Sequence, residues 1–360
     1  MMVVFAHFSI IITELAGASG FINIFTQNSP FAVDLFFFIS GFIMVFTTKG
    51  HITSRTVRFA DFLIKRLFRI FPVYYLCLGI FVVFVILYDK SFSLHEAPIK
   101  NIIKSFLLMP LNPADKPPFY GYSLIVPAWT ITYEIYFYII FSLTLFITSR
   151  YRTLVCSSIL VFIAITAQLY YNGNLTIDAQ ELHLPSEAAI VNISFIANPI
   201  IYDFIIGMFL GEFFISKSYS KVSSTIDLIA PLCLCFGVTA FIAMFRYGYG
   251  LTYGAIGAFF LLIAILHYDF TKRITYPRAL VFIGNISYSL YISHVVVINI
   301  ADRYSSALFV YTQSAGWRRY CVIIILSITV ATVMHKLIEI PSTRAAKALI
   351  KIIKNSKMAA

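Results

Sequence analysis

Long apolar runs recur along the whole of this 360-residue chain. Each run is close to the roughly 20 residues that an α-helix needs to cross the hydrocarbon core of a bilayer. Strands of a membrane barrel would be shorter and would alternate with a period of two, which these runs do not. We count ten such segments: 1–16, 30–48, 70–88, 124–148, 153–171, 198–215, 224–245, 251–268, 279–300 and 319–338. The sequence therefore predicts an all-α polytopic membrane protein with about ten transmembrane helices.

The distribution of Lys and Arg predicts the orientation of these helices. If the N-terminus is inside, the inner segments hold 19 of the 27 basic residues. Because cytoplasmic segments of membrane proteins carry an excess of Lys and Arg, we expect both termini to be cytoplasmic. This topology, together with attraction of the basic residues to an anionic inner leaflet, accounts for the net charge of +11. We therefore expect the lipid bilayer to be the partner of this chain, and we expect no nucleic-acid partner.

The loops between the apolar segments predict a single domain. The longest outer loops, 89–123 and 172–197, are too short to fold as soluble domains. We expect residues 1–340 to form one transmembrane domain and residues 341–360 a basic cytoplasmic tail. The five cysteines show no paired spacing, and no metal site is predicted.

Ionisable side chains inside apolar segments are candidates for function, because each is costly in hydrocarbon. His7 lies in "MMVVFAHFSIII", which offers no acid within one helical turn, so its partner must come from another helix. An imidazole in this setting is a candidate for proton transfer.

A second candidate is Glu134 in "PAWTITYEIYFYIIF", residues 127–141. It shares a helical face with Thr130 and Tyr138 and is flanked by Trp129 and Tyr133. A carboxylate among hydroxyl and aromatic groups is typical of a carbohydrate or acceptor pocket. A hydrogen bond between helices, without chemistry, is the alternative.

Two further polar positions are weaker pocket candidates. Asp34 lies one turn after Pro30, where a helix N-terminus favours a carboxylate. His294 shares a helical face with Tyr291 and Tyr288, and a hydrogen bond within the bundle would also account for it.

The stretch "FLIKRLFRIFPVYYL", residues 62–76, places Lys65, Arg66 and Arg69 at the mouth of an apolar segment. Arg66 and Arg69 lie on one helical face, where they would suit an anionic, phosphate-bearing substrate. The alternative is that these cations only set membrane topology.

Six strings in order resemble the membrane acyltransferase-3 family, which O-acylates cell-envelope sugars, and in particular its branch that acetylates exopolysaccharide. They are "MVVFAHF" (2–8), "FAVDLFFFISGFIM" (31–44), "RLFRIFPVYY" (66–75), "AWTITYEIYFYIIF" (128–141), "NPIIYDFIIGMFLGEF" (198–213) and "NISYSLYISHVVV" (285–297). The resemblance implies an enzyme of the bacterial inner membrane. It would move an acetyl group from cytoplasmic acetyl-CoA to a hydroxyl of a glycan or lipid-linked saccharide.

The resemblance also implies roles for individual residues. His7 matches the family's catalytic histidine, which would act as a general base or as a transiently acylated group. Arg66 and Arg69 match the family's Arg-x-x-Arg, where the donor's phosphates arrive, and a guanidinium fork suits a phosphate. Glu134 would orient His7 or bind acceptor hydroxyls.

The sequence departs from the family pattern before His7, and a rival function is also open. Family members usually carry an arginine some ten residues before this histidine, and only six residues precede His7. We therefore expect either that Met1 is an internal methionine of a longer chain or that the sequence is a degenerate copy. A flippase or transporter of lipid-linked saccharides is the rival function, although the two halves show no evident repeat and no matched Gly- or Pro-broken helices.

Overall fold

The structure is a computed structural model. It describes residues 2–11, 24, 28–50, 54–87, 99–185, 190–243, 248–312, 314 and 316–358. The last residues of three predicted segments, 1–16, 70–88 and 224–245, lie outside these described residues.

Within the described ranges every regular element is helical. In chain order the α-helices are α1 (Met2–Ile11), α2 (Ser29–Thr47), α3 (Arg55–Phe81), α4 (Ile99–Phe106), α5 (Trp129–Ile147), α6 (Arg152–Asn172), α7 (Ile201–Ile215), α8 (Lys217–Ile242), α9 (Ala255–Phe270), α10 (Arg278–Arg303), α11 (Phe309–Thr312), α12 (Gly316–Met334) and α13 (Ile340–Met358). Short 3₁₀ turns lie at Val126–Ala128, Val191–Ala197 and Ser305–Ala307, and wider π-helical turns at Val82–Leu87 and His335–Glu339. The predicted all-α class is confirmed.

Seven of the described helical segments are long and apolar enough to cross a membrane: Ser29–Thr47, Arg55–Phe84, Val126–Ile147, Arg152–Asn172, Lys217–Ile242, Arg278–Arg303 and Arg318–Asn355. The count of ten is not confirmed. Two predicted spans correspond to shorter helices, α7 and α9, of 15 and 16 residues. The described part of a third, 1–16, is the 10-residue helix α1. At 1.5 Å per residue a helix of 16 residues rises about 24 Å, less than the roughly 30 Å of a hydrocarbon core.

Helix α3 begins well before the predicted segment 70–88. Ser54 caps its N-terminus, with the side-chain oxygen accepting a hydrogen bond from the backbone N–H of Val57. The charged residues between Arg55 and Arg69 therefore project from a continuous helix instead of a loop. Hydropathy misplaced the boundary because these charges lower the average without interrupting the helix.

Helices α2 and α7 pack backbone against backbone. A Cβ atom at Gly41 would clash with the carbonyl oxygen of Phe204, and one at Gly207 would clash with that of Phe38. Two helices can approach this closely only where both present small residues. On the other face of α7, the ring of Phe204 stacks on Phe137 of α5 with centroids 4.1 Å apart.

The ends of several helices meet at one end of the bundle, which we call the basic end and define by Lys49, Arg55, Arg150, Arg152 and Lys217. Arg152 donates a hydrogen bond to the carbonyl of Thr48 (3.0 Å), and Lys49 donates to that of Ile215 (3.0 Å). These contacts tie α2, α6 and α7 together there.

Helix α13 packs along α3 at the basic end. Ser342 donates a hydrogen bond to the carbonyl oxygen of Phe68 (2.6 Å), and Lys354 forms an ion pair with Asp61 (3.3 Å). The segment that the sequence predicts to be a tail is therefore folded as a helix through residue 358, with Ala346 and Ile350 buried.

Candidate active site

Helices α1 and α10 bring two histidines together. The Nδ1 atom of His7 lies 2.8 Å from the Nε2 atom of His294. The two rings are nearly parallel, with an interplanar angle of 10° and centroids 5.1 Å apart. The sequence requires a partner for His7 from another helix, and His294 is that partner.

The hydrogen bonds around this pair define which nitrogen atoms carry protons. The Nδ1 atom of His294 lies 3.0 Å from the carbonyl oxygen of Leu290, and a carbonyl only accepts, so Nδ1 must carry the hydrogen. His294 is fully buried, which favours the neutral imidazole with a free lone pair on Nε2. His7 then donates its Nδ1–H to this lone pair. Its own Nε2 is left as an acceptor, the form that a general base requires.

Neighbouring side chains hold His294 in place. Tyr291 lies one turn before it and donates a hydrogen bond to the carbonyl of Pro127 (3.0 Å), and its hydroxyl is also 2.8 Å from that of Thr130. The ring of Phe8 contacts His294 edge to face at 6.0 Å between centroids. These contacts fix α10 against α1 and against the start of α5.

A cavity of about 560 Å³ lies at the basic end. Its walls come mainly from α3 and α13, with the end of α2 closing one side. They carry six basic and two acidic side chains among fifteen lining residues: Ile43, Thr47, Thr48, Arg58, Asp61, Phe62, Lys65, Arg66, Arg69, Leu145, Glu339, Thr343, Ala346, Lys347 and Lys354. Such a cavity attracts anions, because its low-dielectric walls focus the field of the cations.

Arg66 and Arg69 both line this cavity, as their shared helical face predicts. The guanidinium carbon of Arg66 lies 5.6 Å from the ring centroid of Phe62 and 5.4 Å from that of Tyr138. These cation–π contacts hold the guanidinium group over two rings, and its Nη2 donates a hydrogen bond to the hydroxyl of Thr47 (3.5 Å), another residue of the lining.

Glu134 lies near the two arginines of the cavity wall. Its carboxylate is buried and accepts a hydrogen bond from Tyr138, one turn along α5. It also lies within electrostatic range of Arg69 and Arg66. These contacts point toward the two arginines, and none of them involves His7.

Glu339 links the cavity to the histidine pair. It lines the cavity, accepts a hydrogen bond from Ser289 of α10 (2.7 Å), and contacts the Nδ1 atom of His335 (2.9 Å). Ser289 precedes His294 by five residues, a rise of about 7.5 Å along the helix. The inner end of the cavity and the histidine pair are therefore about one and a half turns of α10 apart.

A family profile described as an acyltransferase domain matches residues 1–336. The chain belongs to the acyltransferase-3 family. A curated relative, the exopolysaccharide production protein ExoZ of Rhizobium meliloti (strain 1021), is 25% identical over 280 residues, which cover 77% of this chain and 78% of the relative. No solved structure matches the chain.

The family confirms the resemblance drawn from the sequence motifs, and the protein is a multi-pass membrane acyltransferase. The family match favours acyl transfer over the rival flippase function.

The remaining pocket candidates of this acyltransferase lie away from the cavity. The Asp34 carboxylate accepts a hydrogen bond from the backbone N–H of Gly250 (3.0 Å) and is fully buried. Tyr133 is buried and donates its hydroxyl to the carbonyl of Pro118 (2.8 Å). Trp129 packs edge to face on Tyr133, with ring centroids 5.9 Å apart. These three side chains hold connecting segments against the helices.

Sequence reasoning missed five charged side chains of the acyltransferase cavity: Arg58, Asp61, Glu339, Lys347 and Lys354. A signal for the last two exists in the sequence. Lys347 and Lys354 are seven residues apart, which places them on one face of a helix. The prediction of a tail over residues 341–360 assumes no helix there and so does not use this spacing.

Proposed function

We propose that this acyltransferase moves an acetyl group from acetyl-CoA to a hydroxyl of an exopolysaccharide or another cell-envelope sugar. The observation that carries the proposal is the basic cavity with Arg66 and Arg69 in its wall. Its lining residue Glu339 is hydrogen-bonded to Ser289 of α10, five residues before His294 of the His7–His294 pair. The printed name of the relative, an exopolysaccharide production protein, supports a polysaccharide acceptor.

The orientation follows from charge. The basic end faces the cytoplasm by the positive-inside rule, in what we infer to be the bacterial inner membrane. Acetyl-CoA then enters the cavity from the side where it is made. Arg66 and Arg69 bind its phosphates, with paired N–H donors suited to the oxygen atoms of a phosphate. Its thioester extends toward the histidine pair, and the acceptor reaches the pair from the opposite side.

The chemistry begins at the free nitrogen of His7. Nε2 removes the proton from the acceptor hydroxyl as its oxygen attacks the thioester carbonyl carbon. The tetrahedral intermediate collapses with cleavage of the C–S bond, and the leaving thiolate recovers the proton from His7. His294 accepts the Nδ1–H hydrogen bond throughout and so fixes the tautomer and the ring orientation of His7.

We assign Glu134 a role in keeping the two arginines in place. Its negative charge lies near both guanidinium groups, while its hydrogen bond to Tyr138 holds the carboxylate and the ring that underlies Arg66. Asp34, Trp129 and Tyr133 act by positioning the segments around the site.

The test separates acyl transfer from export. In a strain lacking the gene, the polymer should still be exported but should lose its O-acetyl groups, measured by NMR of the purified polysaccharide. The purified protein should transfer labelled acetyl from acetyl-CoA to the de-acetylated polymer or its lipid-linked precursor. Loss of polymer export with acetylation intact would refute the proposal.

A further inference from the structure

Among the six cations of the cavity, several already have partners within the protein. Asp61 pairs with Lys65 at 2.6 Å and with Lys354 at 3.3 Å. Lys347 of α13, an exposed side chain of the lining, forms no ion pair within the part of the chain that the structure describes, and Arg66 and Arg69 share this property. The charge of Lys347 is therefore uncompensated in a cavity that is already basic.

Lys347 belongs to the part of the cavity wall formed by α13, whereas Arg66 and Arg69 belong to the part formed by α3. Ser342 holds α13 to the carbonyl of Phe68, and Lys354 holds it to Asp61. Lys347 lies between these two contacts, so its side chain leaves α13 at the level of the middle of α3. Cations on two adjoining walls of one cavity repel each other unless an anion lies between them. The arrangement thus favours an anion that touches both walls.

The depth of Lys347 indicates which part of the donor it meets. It lies eight residues beyond Glu339 along α13, about 12 Å farther toward the basic end. Under the proposed function the thioester lies at the inner end of the cavity, so the nucleotide portion of the donor occupies the outer part. The outermost anionic group of coenzyme A is the 3′-phosphate on its ribose.

We propose that Lys347 binds the 3′-phosphate of the coenzyme A donor, while Arg66 and Arg69 bind its diphosphate. The inference rests on the proposed function. It makes α13 one wall of the donor site. Thr343, one turn before Lys347, lines the same wall, and its hydroxyl donates a hydrogen bond to the carbonyl of Ile340 (2.9 Å).

The test compares two donors on three proteins. Binding of acetyl-CoA and of 3′-dephospho-acetyl-CoA is measured for the wild type, Lys347→Gln and Lys351→Gln. Lys351 is the matched control, because it lies one turn along α13, is exposed, and is outside the cavity lining. A lost charge-assisted contact should reduce acetyl-CoA affinity of Lys347→Gln about ten-fold or more. The same variant should bind the dephospho donor as the wild type does, Lys347→Arg should restore binding, and Lys351→Gln should leave both affinities unchanged.

The other outcomes refute the inference in distinguishable ways. If Lys347→Gln binds acetyl-CoA as the wild type does, or weakens both donors equally, Lys347 does not meet the 3′-phosphate. Equal losses in Lys347→Gln and Lys351→Gln would assign the effect to net charge alone. Each of these results leaves the proposed function intact, whereas a wild-type protein without affinity for acetyl-CoA overturns the donor assignment and the inference together.

Discussion

The Nδ1 atom of His7 lies 2.8 Å from the Nε2 atom of His294, although 287 residues separate the two in the chain. The His294 Nδ1 atom in turn lies 3.0 Å from the backbone carbonyl of Leu290. This chain of two hydrogen bonds ends at a carbonyl, which cannot give up a proton. It therefore orients His7 and fixes its tautomer without relaying protons.

Replacing His7 with Ala should reduce acetyl transfer by about 10²–10⁴-fold, the range of a lost general base. The protein should remain in the membrane at normal abundance, because one imidazole contributes little to a bundle of this size. Transfer of labelled acetyl by the purified variant measures the effect. His183→Ala is the control, since His183 is exposed and lies in the segment after α6, outside the helices that carry the pair. Substantial activity of the His7 variant would remove His7 from the mechanism.

His294→Leu and His294→Gln should differ if His294 positions His7. Leu cannot accept the hydrogen bond from His7, so kcat should fall about 10²-fold, similar to losses seen when a group that orients a functional histidine is removed. Gln offers an amide oxygen to His7 and should stay within about ten-fold of the wild type. If both variants lose activity equally, packing at this position is what matters, and the tautomer argument fails.

Glu134→Gln distinguishes two roles for that carboxylate. Gln retains an acceptor for Tyr138 but removes the negative charge that keeps Arg66 and Arg69 in place, so KM for the anionic donor should rise by a few-fold, about 2–5, with kcat little changed. A kcat loss of about 10²-fold would instead indicate a carboxylate that acts on His7. Steady-state kinetics against acetyl-CoA decide between them. Glu181→Gln removes the same charge from an exposed position and should have no effect.

Arg66→Lys and Arg69→Lys keep positive charge, and therefore topology, but lose the guanidinium fork. Each should weaken acetyl-CoA binding by about 1–3 kcal/mol for the lost charge-assisted contacts, with membrane orientation unchanged. Binding over a salt series provides the measurement. Arg55→Lys is the matched control, because Arg55 begins the same helix outside the cavity. If the double variant Arg66→Lys/Arg69→Lys binds acetyl-CoA with unaltered affinity, the two arginines serve only to set the membrane topology.

Gly207→Ala should destabilise the protein, because its Cβ would clash with the backbone carbonyl of Phe38. Overpacking of this kind typically costs about 1–3 kcal/mol, and the clashing atom is backbone that cannot turn aside. Thermal unfolding in detergent is the readout. Gly79→Ala, in α3 with nothing within 4 Å of the added atom, should be neutral or slightly stabilising. Equal unfolding temperatures for the two variants would contradict the close contact of α2 and α7.

The sequence predicts the individual functional residues better than their grouping. The apolar residues around His7 in the sequence predict that its hydrogen-bond partner lies on another helix. Which helix supplies that partner depends on the packing of α1 against α10, and the sequence does not show this packing. Glu134 shows the same limit. The spacing of four residues predicts that Glu134 and Tyr138 share a helical face. The proximity of Glu134 to Arg69, in contrast, depends on how α5 lies against α3.

The predicted start of a helix is wrong where charged residues lie within the helix. Arg58 and Lys65 lower the mean hydropathy of α3, although a helix of 27 residues runs through them. The segment after residue 340 shows a related limit, because its lysines predict a basic tail, whereas the burial of Ala346 and Ile350 depends on how α13 packs against α3.

The wide turn at His335–Glu339 sets the angular phase between α12 and α13. In an α-helix each residue advances the chain by 100° about the axis, so one residue more or less in this turn would rotate everything after it by that amount. Lys347 would then leave the cavity wall, and Ala346 would turn away from the protein. The sequence of α13 can therefore tolerate exchanges of side chain at most exposed positions, but the length of the five-residue turn before it cannot change without misdirecting the whole helix.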